Sequence, residues 1–230
     1  MPAPALSIII PVRNEALGIV AALRALAPLR ARGVQVIVVD GGSSDDTVAL
    51  ARAALGPDGQ LLQSPPGRAR QMNAGARQAE GAALLFLHAD TQLPPEADVL
   101  LHQALASGRH VWGRFDVRIA GRPWMLRVIA ALMNRRSRWS GIATGDQALF
   151  MTRAAFDAVG GFPDQALMED IEISKRLLRI SSPACLAQQV LTSGRRWETH
   201  GVWRTVWLMW RLRFAYWRGA SPDVLAERYR

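Results

Sequence analysis

The sequence has very little cysteine and lysine and no long apolar run. Cys185 is the only cysteine in 230 residues, which excludes an internal disulfide and a zinc site built from several cysteines. Lys175 is the only lysine, so the Gly-Lys-Ser/Thr string of a P-loop is missing and Schiff-base chemistry is disfavoured. No apolar run approaches the roughly 18 residues of a membrane-spanning helix. The N-terminus lacks the basic segment of a secretory signal, so the cytoplasm is the expected compartment.

Charge and tryptophan are distributed unevenly along the chain, whose formal net charge is +9. Residues 1–108 carry 8 basic and 9 acidic side chains, whereas residues 109–230 carry 20 basic and 10 acidic ones. All 8 tryptophans lie in the second part. We therefore expect the second part to present a basic, aromatic surface to something anionic, such as a membrane, a nucleic acid or a phosphorylated substrate.

Apolar strands and helices alternate through the first ninety residues and continue less regularly afterwards. Strands are predicted at residues 6–12, 35–39, 61–62, 83–88, 111–119, 148–151 and 185–191, the fifth of them half-exposed. Helices are predicted at residues 15–29, 68–79, 123–134, 169–178 and 202–217. Two further helices are predicted, one capped by Ser43 or Ser44 and one that starts at Pro94-Pro95. Residues 222–229 are expected to form a short tail. The alternation predicts an α/β fold with βαβ units and a mostly parallel sheet flanked by helices.

Polar side chains follow three of the predicted strands. They are Arg13, Asn14 and Glu15 after the first, Asp40 after the second, and His88, Asp90 and Gln92 after the fourth. Ligands of open α/β sheets bind beyond the carboxyl ends of the strands. One acid at a strand end is commonly a helix cap, but acids at three strand ends of one sheet favour a ligand site.

Asp90 and Gln92 form the most informative of these groups. Two residues apart after an apolar strand, they offer oxygen ligands to one Mg²⁺ or Mn²⁺ ion, which can bridge them to a diphosphate. The alternative is a strand end that leads into a proline-capped helix and binds nothing.

Five motifs in order along residues 6–180 resemble glycosyltransferase family 2, whose members have the GT-A fold. They are SIIIPVRNE at residues 7–15, VVDGGSSDDT at 38–47, RQMNAGARQAEG at 70–81, HADTQLPP at 88–95, and an acceptor-side region with GDQ at 145–147, GGF at 160–162 and ED at 169–170. The resemblance implies a GT-A, Rossmann-like domain over residues 1–200. Its nucleotide-sugar half would be residues 1–108 and its acceptor half residues 109–200, followed by a basic, Trp/Arg-rich helical extension over residues 201–230.

The resemblance also implies roles for individual residues. The implied donor-binding residues are Pro11, Arg13, Asn14, Glu15, Asp40, Arg68, Arg70, Asn73, His88, Ala89 and Asp90. Asp90, joined by Gln92, would hold Mn²⁺ or Mg²⁺, while Gly145, Asp146 and Trp197 would form the acceptor pocket. Asp170 is the candidate general base, and Glu169 would orient the loop beside it or share its proton. For Arg68 and Arg70 the alternative is two solvated surface arginines.

Two positions depart from the family pattern. His88 stands where the D-x-D signature has its first acid, which leaves the metal-binding second acid in place and puts a ribose or sugar contact in doubt. Ser193 stands where the processive members have glutamine in Q-x-x-R-W, which argues against a polymerising synthase.

The helix predicted at residues 202–217 combines tryptophans at helical spacing with arginines around the rest of its circumference. Either it lies in the head-group region at the cytoplasmic face of a membrane, or it packs on the GT-A core. A nucleic-acid partner is not expected, because no nucleic-acid motif is present. The expected activity is a metal-dependent, inverting, non-processive sugar transfer to a lipid or lipid phosphate. The alternatives are a soluble transferase for a small polar acceptor and an inactive nucleotide-binding protein.

Overall fold

The computed structural model describes residues 5–57 and 59–229. Over these residues the strands are β1 Leu6–Val12, β2 Gln35–Asp40, β3 Gln60–Gln63, β4 Ala83–Phe86, β5 Thr91–Gln92, β6 Trp112–Ile119, β7 Phe150–Thr152 and β8 Ala184–Thr192. The helices are α1 Ile19–Ala25, α2 Ala27–Ala31, α3 Thr47–Leu55, α4 Arg68–Gln78, α5 Ala97–Ala106, α6 Met125–Ser140, α7 Arg153–Ala158, α8 Glu169–Leu178, α9 Arg195–His200, α10 Val202–Trp217 and α11 Pro222–Tyr229. A 3₁₀ turn spans Gly145–Gln147.

The strands form one sheet in the order β3-β2-β1-β4-β7-β6-β8-β5. Strands β3, β2, β1 and β4 are parallel, as the alternating pattern predicts. Strand β7 is antiparallel to both β4 and β6, β8 runs parallel to β6, and β5 is antiparallel to β8 at the edge. The strand order reverses between β1 and β4, which is where such sheets bind their ligands. The predicted α/β fold with a mostly parallel sheet flanked by helices is confirmed.

The parallel half of the sheet is tightly packed against α4 near the carboxyl ends of β1 and β2. Ile8, Ile9 and Ile10 of β1 are fully buried, and Ile9 belongs to the core cluster beneath α4. A Cβ at Gly75 of α4 would lie 2.5 Å from Ile9 Cγ2, so only glycine lets this helix sit so close to the sheet. Buried Gln71 donates from Nε2 to the carbonyls of Val12 and Val39, at 2.7 and 2.8 Å. This bond pair ties the carboxyl ends of β1 and β2 together.

Two local predictions are wrong, and a third segment has more regular structure than its description as a tail conveys. The helix expected at residues 15–29 begins only at Ile19 and divides at Leu26, before a second helix with Pro28 in its first turn. Ser43 and Ser44 do not cap α3, because Ser43 Oγ donates to Asp40 and the N-cap residue is Asp46. The short tail expected at residues 222–229 is a helix, α11.

The strand predicted to be half-exposed, β6, is almost entirely buried. Arg114, which makes the strand appear polar in sequence, is fully buried and donates to Asp116, to Ser137 Oγ and to the Asn134 carbonyl. Polar partners on α6 therefore satisfy a side chain that the alternation assigned to solvent.

The C-terminal helices close one side of the molecule. Leu212 of α10 and Leu225 of α11 form a small core with Met168, which immediately precedes α8. Ile171 of α8 packs against the same core. Among the described residues, no helix is both long and apolar enough to cross a membrane.

Candidate active site

A cleft of about 560 Å³ lies beyond the carboxyl ends of β1 and β4, bounded by the 3₁₀ turn, the start of α8 and helices α9–α11. Many of the predicted site residues line it: Pro11, Glu15, Arg68, His88, Ala89, Asp90, Gly145, Asp146, Glu169, Asp170 and Trp197. The fold thus brings together donor-side and acceptor-side residues that are up to 186 positions apart in sequence, from Pro11 to Trp197.

The remaining predicted residues lie outside the lining of this cleft. Asp40 is buried, and its carboxylate accepts from Ser43 Oγ and from the N–H groups of Gly42 and Ser43. Exposed Asn14 has a φ of 55° and accepts the Ser44 N–H at 2.8 Å. The bonds of Asp40 hold the loop after β2, and the bond between Asn14 and Ser44 joins that loop to the one after β1. Nucleoside contacts from Asp40, Asn14 and the exposed Arg13 stay predictions.

Two predicted donor-binding residues of α4, Arg70 and Asn73, make their contacts outside the cleft lining. Arg70 Nε donates to Asp164 Oδ1 at 2.8 Å on an exposed surface. Asn73 uses both ends of its amide on Phe162, donating to the carbonyl at 2.8 Å and accepting the N–H at 3.0 Å. Asn73 therefore holds the loop before α8. Its donor contact and that of Arg70 stay predictions.

Asp170 occupies the first turn of α8 with its carboxylate facing the 3₁₀ turn. Its Oδ2 accepts the Gly145 N–H at 3.0 Å, and its Oδ1 accepts the Ile171 N–H at 2.8 Å. Burial and the charge of Glu169 raise the pKa of Asp170 to about 6, against the lowering effect of these two bonds and of Arg68. A carboxylate with this pKa is mostly ionised at neutral pH and accepts a proton readily.

Glu169 beside it is buried and paired. Its Oε1 lies 3.4 Å from Nη1 of Arg68, which is the first residue of α4. The pair joins the start of α4 to the start of α8 across the cleft. Arg68 is thus fixed in the cleft wall, whereas the position of Glu169 suits the orienting role that the resemblance implies.

His88, which is predicted to bind the donor, contacts Asp146, which is predicted to bind the acceptor. His88 Nδ1 lies 3.3 Å from Asp146 Oδ1. Burial acts to raise the pKa of Asp146, but the His88 hydrogen bond and the charges of His88, Arg68 and Arg196 together lower it. A Cβ at Gly145 would collide with the His88 imidazole, so glycine at this position makes room for histidine. The residue that departs from the D-x-D pattern therefore has a carboxylate partner.

Asp90 is exposed at the mouth of the cleft, and the Thr91 hydroxyl lies 3.4 Å from its Oδ1. Burial raises the pKa of Glu15. The negative charge of Asp90 raises it further, whereas the positive charge of Arg195 acts in the opposite direction. Glu15 and Asp90 therefore share one side of the cleft. In the described part of the chain, no group of three or more His, Cys, Asp or Glu side chains could hold a metal ion alone. A Mg²⁺-type ion needs only one or two carboxylates when substrate phosphates complete its shell, and Asp90 fits that requirement.

The sequence analysis missed a basic and apolar wall contributed by the C-terminal helices. The missed lining residues include Arg195, Arg196, Met209, Leu212, Arg213 and Tyr229. Arg195 lies 3.5 Å from Glu15, and the Arg196 guanidinium stacks on the Tyr229 ring at 3.7 Å. The two adjacent arginines before Trp197 were a usable signal, since paired guanidinium groups suit phosphate. No feature of the sequence indicates that Tyr229 lines this cleft.

Comparison with known proteins identifies the fold and the family. A model described as Glycosyl transferase family 2 matches residues 7–162. A mannosyltransferase from Pyrobaculum calidifontis, solved in complex with GDP-Man and Mn²⁺, aligns with a TM-score of 0.66 and 19% identity over 99% of this chain and 69% of that one. The structural match shows the GT-A arrangement of the sheet.

Two curated relatives match in sequence. The PGL/p-HBAD biosynthesis glycosyltransferase of Mycobacterium tuberculosis is 32% identical over 168 residues, which cover 69% of this chain and 59% of the relative. The undecaprenyl-phosphate 4-deoxy-4-formamido-L-arabinose transferase of Pseudomonas aeruginosa is 30% identical over 156 residues, covering 63% of this chain and 45% of the relative. The chain thus spans about half of the length of these two proteins.

Proposed function

The chain belongs to glycosyl transferase family 2, and we propose that it transfers a sugar from a nucleotide-diphospho-sugar to an acceptor in a single, inverting displacement. One observation carries this proposal: Asp170, held by the Gly145 N–H, shares a cleft with Asp90 at the carboxyl edge of the parallel strands. An inverting displacement needs a base for the acceptor on one face of the sugar and charge stabilisation for the leaving diphosphate on the other.

In this proposal the donor occupies the strand side of the cleft. Pro11 and Ala89 line it there, with Glu15 and Asp90 at the mouth. Asp90 would hold a divalent cation through its carboxylate, and that cation would offset the charge that develops on the diphosphate. Gln92 is exposed on β5 and does not line the cleft, so we propose Asp90 without it. Arg68, fixed by Glu169, supplies positive charge from the protein itself.

We propose that the acceptor binds between α8 and the C-terminal helices. Asp170 takes the proton from its attacking oxygen, while Gly145 and Trp197 bound the same space. Met168, Met209 and Leu212 give this end an apolar wall, and Arg196 and Arg213 add positive charge to it. An acceptor that combines an apolar chain with an anionic group fits this composition, and a lipid phosphate has both. The name of the Pseudomonas relative supports this class.

Membrane contact through α10 is a second proposal, carried by the exposure of one face of that helix. Leu208, Met209 and Leu212 contact the core around Met168, so part of α10 packs on the domain. The opposite face is exposed and aromatic. It consists of Trp203, Trp207, Trp210, Phe214 and Trp217. We call this face the α10 stripe, and propose that it lies in the interface of a membrane that carries the acceptor.

Purified protein supplied with Mn²⁺ and UDP- or GDP-sugars tests the transfer reaction. We expect slow donor hydrolysis without acceptor, faster donor consumption with a polyprenyl phosphate, and loss of both in EDTA. Asp170→Asn should abolish transfer to the lipid, whereas Glu172→Gln, two residues further along α8 and outside the cleft lining, should not. Transfer to small sugars but not to polyprenyl phosphate would favour the soluble alternative. Donor binding without any turnover would favour the inactive one.

A further inference from the structure

Helix α6 exposes a second apolar and basic face. Its outward positions carry large apolar side chains, with Trp124 just before the helix 72% exposed, Leu132 61% exposed and Trp139 92% exposed. Arg127, Arg135 and Arg138 are also exposed on it. We call this set of residues the α6 face. Exposed apolar groups of this size, grouped on one helix among arginines, are unusual for a surface that meets only water.

The α6 face lies in a stretch of chain without a single carboxylate. Residues 117–145 contain six arginines and no aspartate or glutamate. The same is true of residues 199–222, which contain α10, four arginines and no acid. Ordinary solvent-exposed helices intersperse both signs of charge. Two acid-free helices therefore concentrate the net positive charge of the protein on the parts that also expose tryptophan.

A groove of about 800 Å³ runs beside the α6 face. Its inner wall is apolar, with Ile119, Leu126 and Ala130, and its rim carries Arg122 and Arg127. Asp116, the acid among the lining residues, is already paired with Arg114 and Arg138. The groove is thus complementary to a molecule that has an anionic head and an apolar chain. Ile119 also lines the catalytic cleft, so the two spaces are neighbours.

The α6 face and the α10 stripe are anchored on the same side of the sheet. Val202 and Val206 of α10 pack against the core cluster that contains Leu126 and Ile129 of α6. The Arg122 N–H at the groove rim donates to Glu198 of α9 at 2.9 Å, which joins the loop before α6 to the helix before α10. The two surfaces can therefore act as one unit.

We propose that the α6 face docks on an anionic phospholipid bilayer, and that the adjoining groove receives the phosphate and the first part of the acyl chain of one lipid. Exposed tryptophan and leucine suit the head-group boundary, and arginine suits phosphate. This inference rests on the proposed membrane contact of α10 and does not depend on the transfer reaction. It adds a lipid site outside the cleft, made by residues that take no part in the chemistry.

Vesicle co-sedimentation tests the proposal on the full chain. Wild-type protein should bind vesicles of equal parts phosphatidylcholine and phosphatidylglycerol, and bind pure phosphatidylcholine weakly. Arg127→Gln/Arg135→Gln should weaken binding to the anionic vesicles about tenfold. The matched control is Arg52→Gln/Arg77→Gln, which removes the same charge from exposed positions on α3 and α4 and should retain wild-type binding. A loss of equal size in both double variants would overturn the proposal, because net charge alone would explain it.

A fluorescent label locates the contact. In a Cys185→Ser background, an environment-sensitive dye on Leu132→Cys should shift to shorter wavelength on vesicles, whereas the same dye on Arg77→Cys should not. Trp207→Ser/Trp210→Ser reports on the α10 stripe alone. If that variant loses binding while the label on Leu132→Cys stays unshifted in otherwise wild-type protein, the α6 proposal is wrong and the α10 proposal stands. Single-stranded RNA binding that depends on Arg127 and Arg135, with vesicle binding unchanged, would also overturn it.

Discussion

The backbone N–H of Gly145 donates to Oδ2 of Asp170 across 3.0 Å, which joins the 3₁₀ turn to the start of α8. On its other side, Gly145 is covered by the His88 imidazole. One residue without a side chain therefore sets the distance between the end of β4 and the candidate base. This arrangement leads to the first prediction.

Gly145→Ala should impair both stability and transfer, because its Cβ would displace the His88 ring and with it the Asp146 contact. We expect a loss of about 1–3 kcal/mol in the free energy of unfolding, which is typical of overpacking a tight site. Denaturant unfolding measures it. His88→Ala/Gly145→Ala provides the control, since removal of the ring should restore much of the stability. If the double variant is no more stable than Gly145→Ala, the steric account is incorrect.

Asp170→Asn should lower the transfer rate about 10²–10⁴-fold and leave donor affinity within a few-fold, because it removes proton acceptance and keeps the size of the side chain. The wild-type rate should rise with pH through about 6, since Asp170 must lose its proton before it can act as a base. Calorimetry with the donor and a pH–rate profile measure the two effects. A wild-type rate in the variant would move the base to Asp146.

The same substitution should raise thermal stability at neutral pH. A carboxyl whose pKa is raised by folding binds its proton more tightly in the folded state, so stability falls as pH rises from the unfolded pKa of about 4 to the folded value. For Asp170 that folded value is about 6. Asp170→Asn removes this cost, so its Tm should exceed that of wild type at pH 8, with the difference shrinking towards pH 4. An equal Tm difference at both pH values would show that packing, and not ionisation, is responsible.

Asp90→Ala should abolish the strengthening of nucleoside-diphosphate binding by Mn²⁺ while leaving the fold intact, because Asp90 is exposed. Titration of UDP and GDP with and without Mn²⁺ measures this. Gln92→Ala is the matched comparison, since Gln92 is exposed but lies outside the cleft lining, and it should keep the full metal effect. If both variants lose the metal effect, the Asp90 and Gln92 pair expected from the sequence holds the ion together.

Trp207→Ser/Trp210→Ser should reduce binding to anionic vesicles and leave nucleotide affinity unchanged, because both side chains belong to the exposed α10 stripe and not to the cleft. Co-sedimentation and calorimetry measure the two quantities. Salt should weaken the wild-type interaction, since exposed charges are screened. Wild-type protein that binds no vesicle would refute membrane contact and leave α10 as a packed helix.

The parallel half of the sheet could be predicted from the amino-acid sequence alone. Continuous apolar runs such as residues 6–12 have no polar face and are shorter than typical buried helices, which favours strands covered on both sides, and helices between successive strands favour parallel connections. The order of the motifs and the exact span of α8 could be predicted as well. The acids at the strand ends follow from the same reasoning, because parallel strands deliver their carboxyl ends to one edge.

Which of those polar residues share the cleft became known from the folded chain, because it depends on the partners that each side chain finds there. Asp40 accepts hydrogen bonds from backbone N–H groups of the loop that follows it, and Asn73 donates to a backbone carbonyl of the loop before α8. A sequence cannot show that a side chain already has such hydrogen-bond partners. The partnership of His88 with Asp146, the buried position of Arg114 and the return of Tyr229 to Arg196 depend on contacts between distant segments. Periodicity records how often apolar residues recur along the chain, whereas these contacts depend on where each segment finally lies. For the same reason α10 could be predicted as a helix, but the division of its surface between a packed wall and an exposed stripe could not.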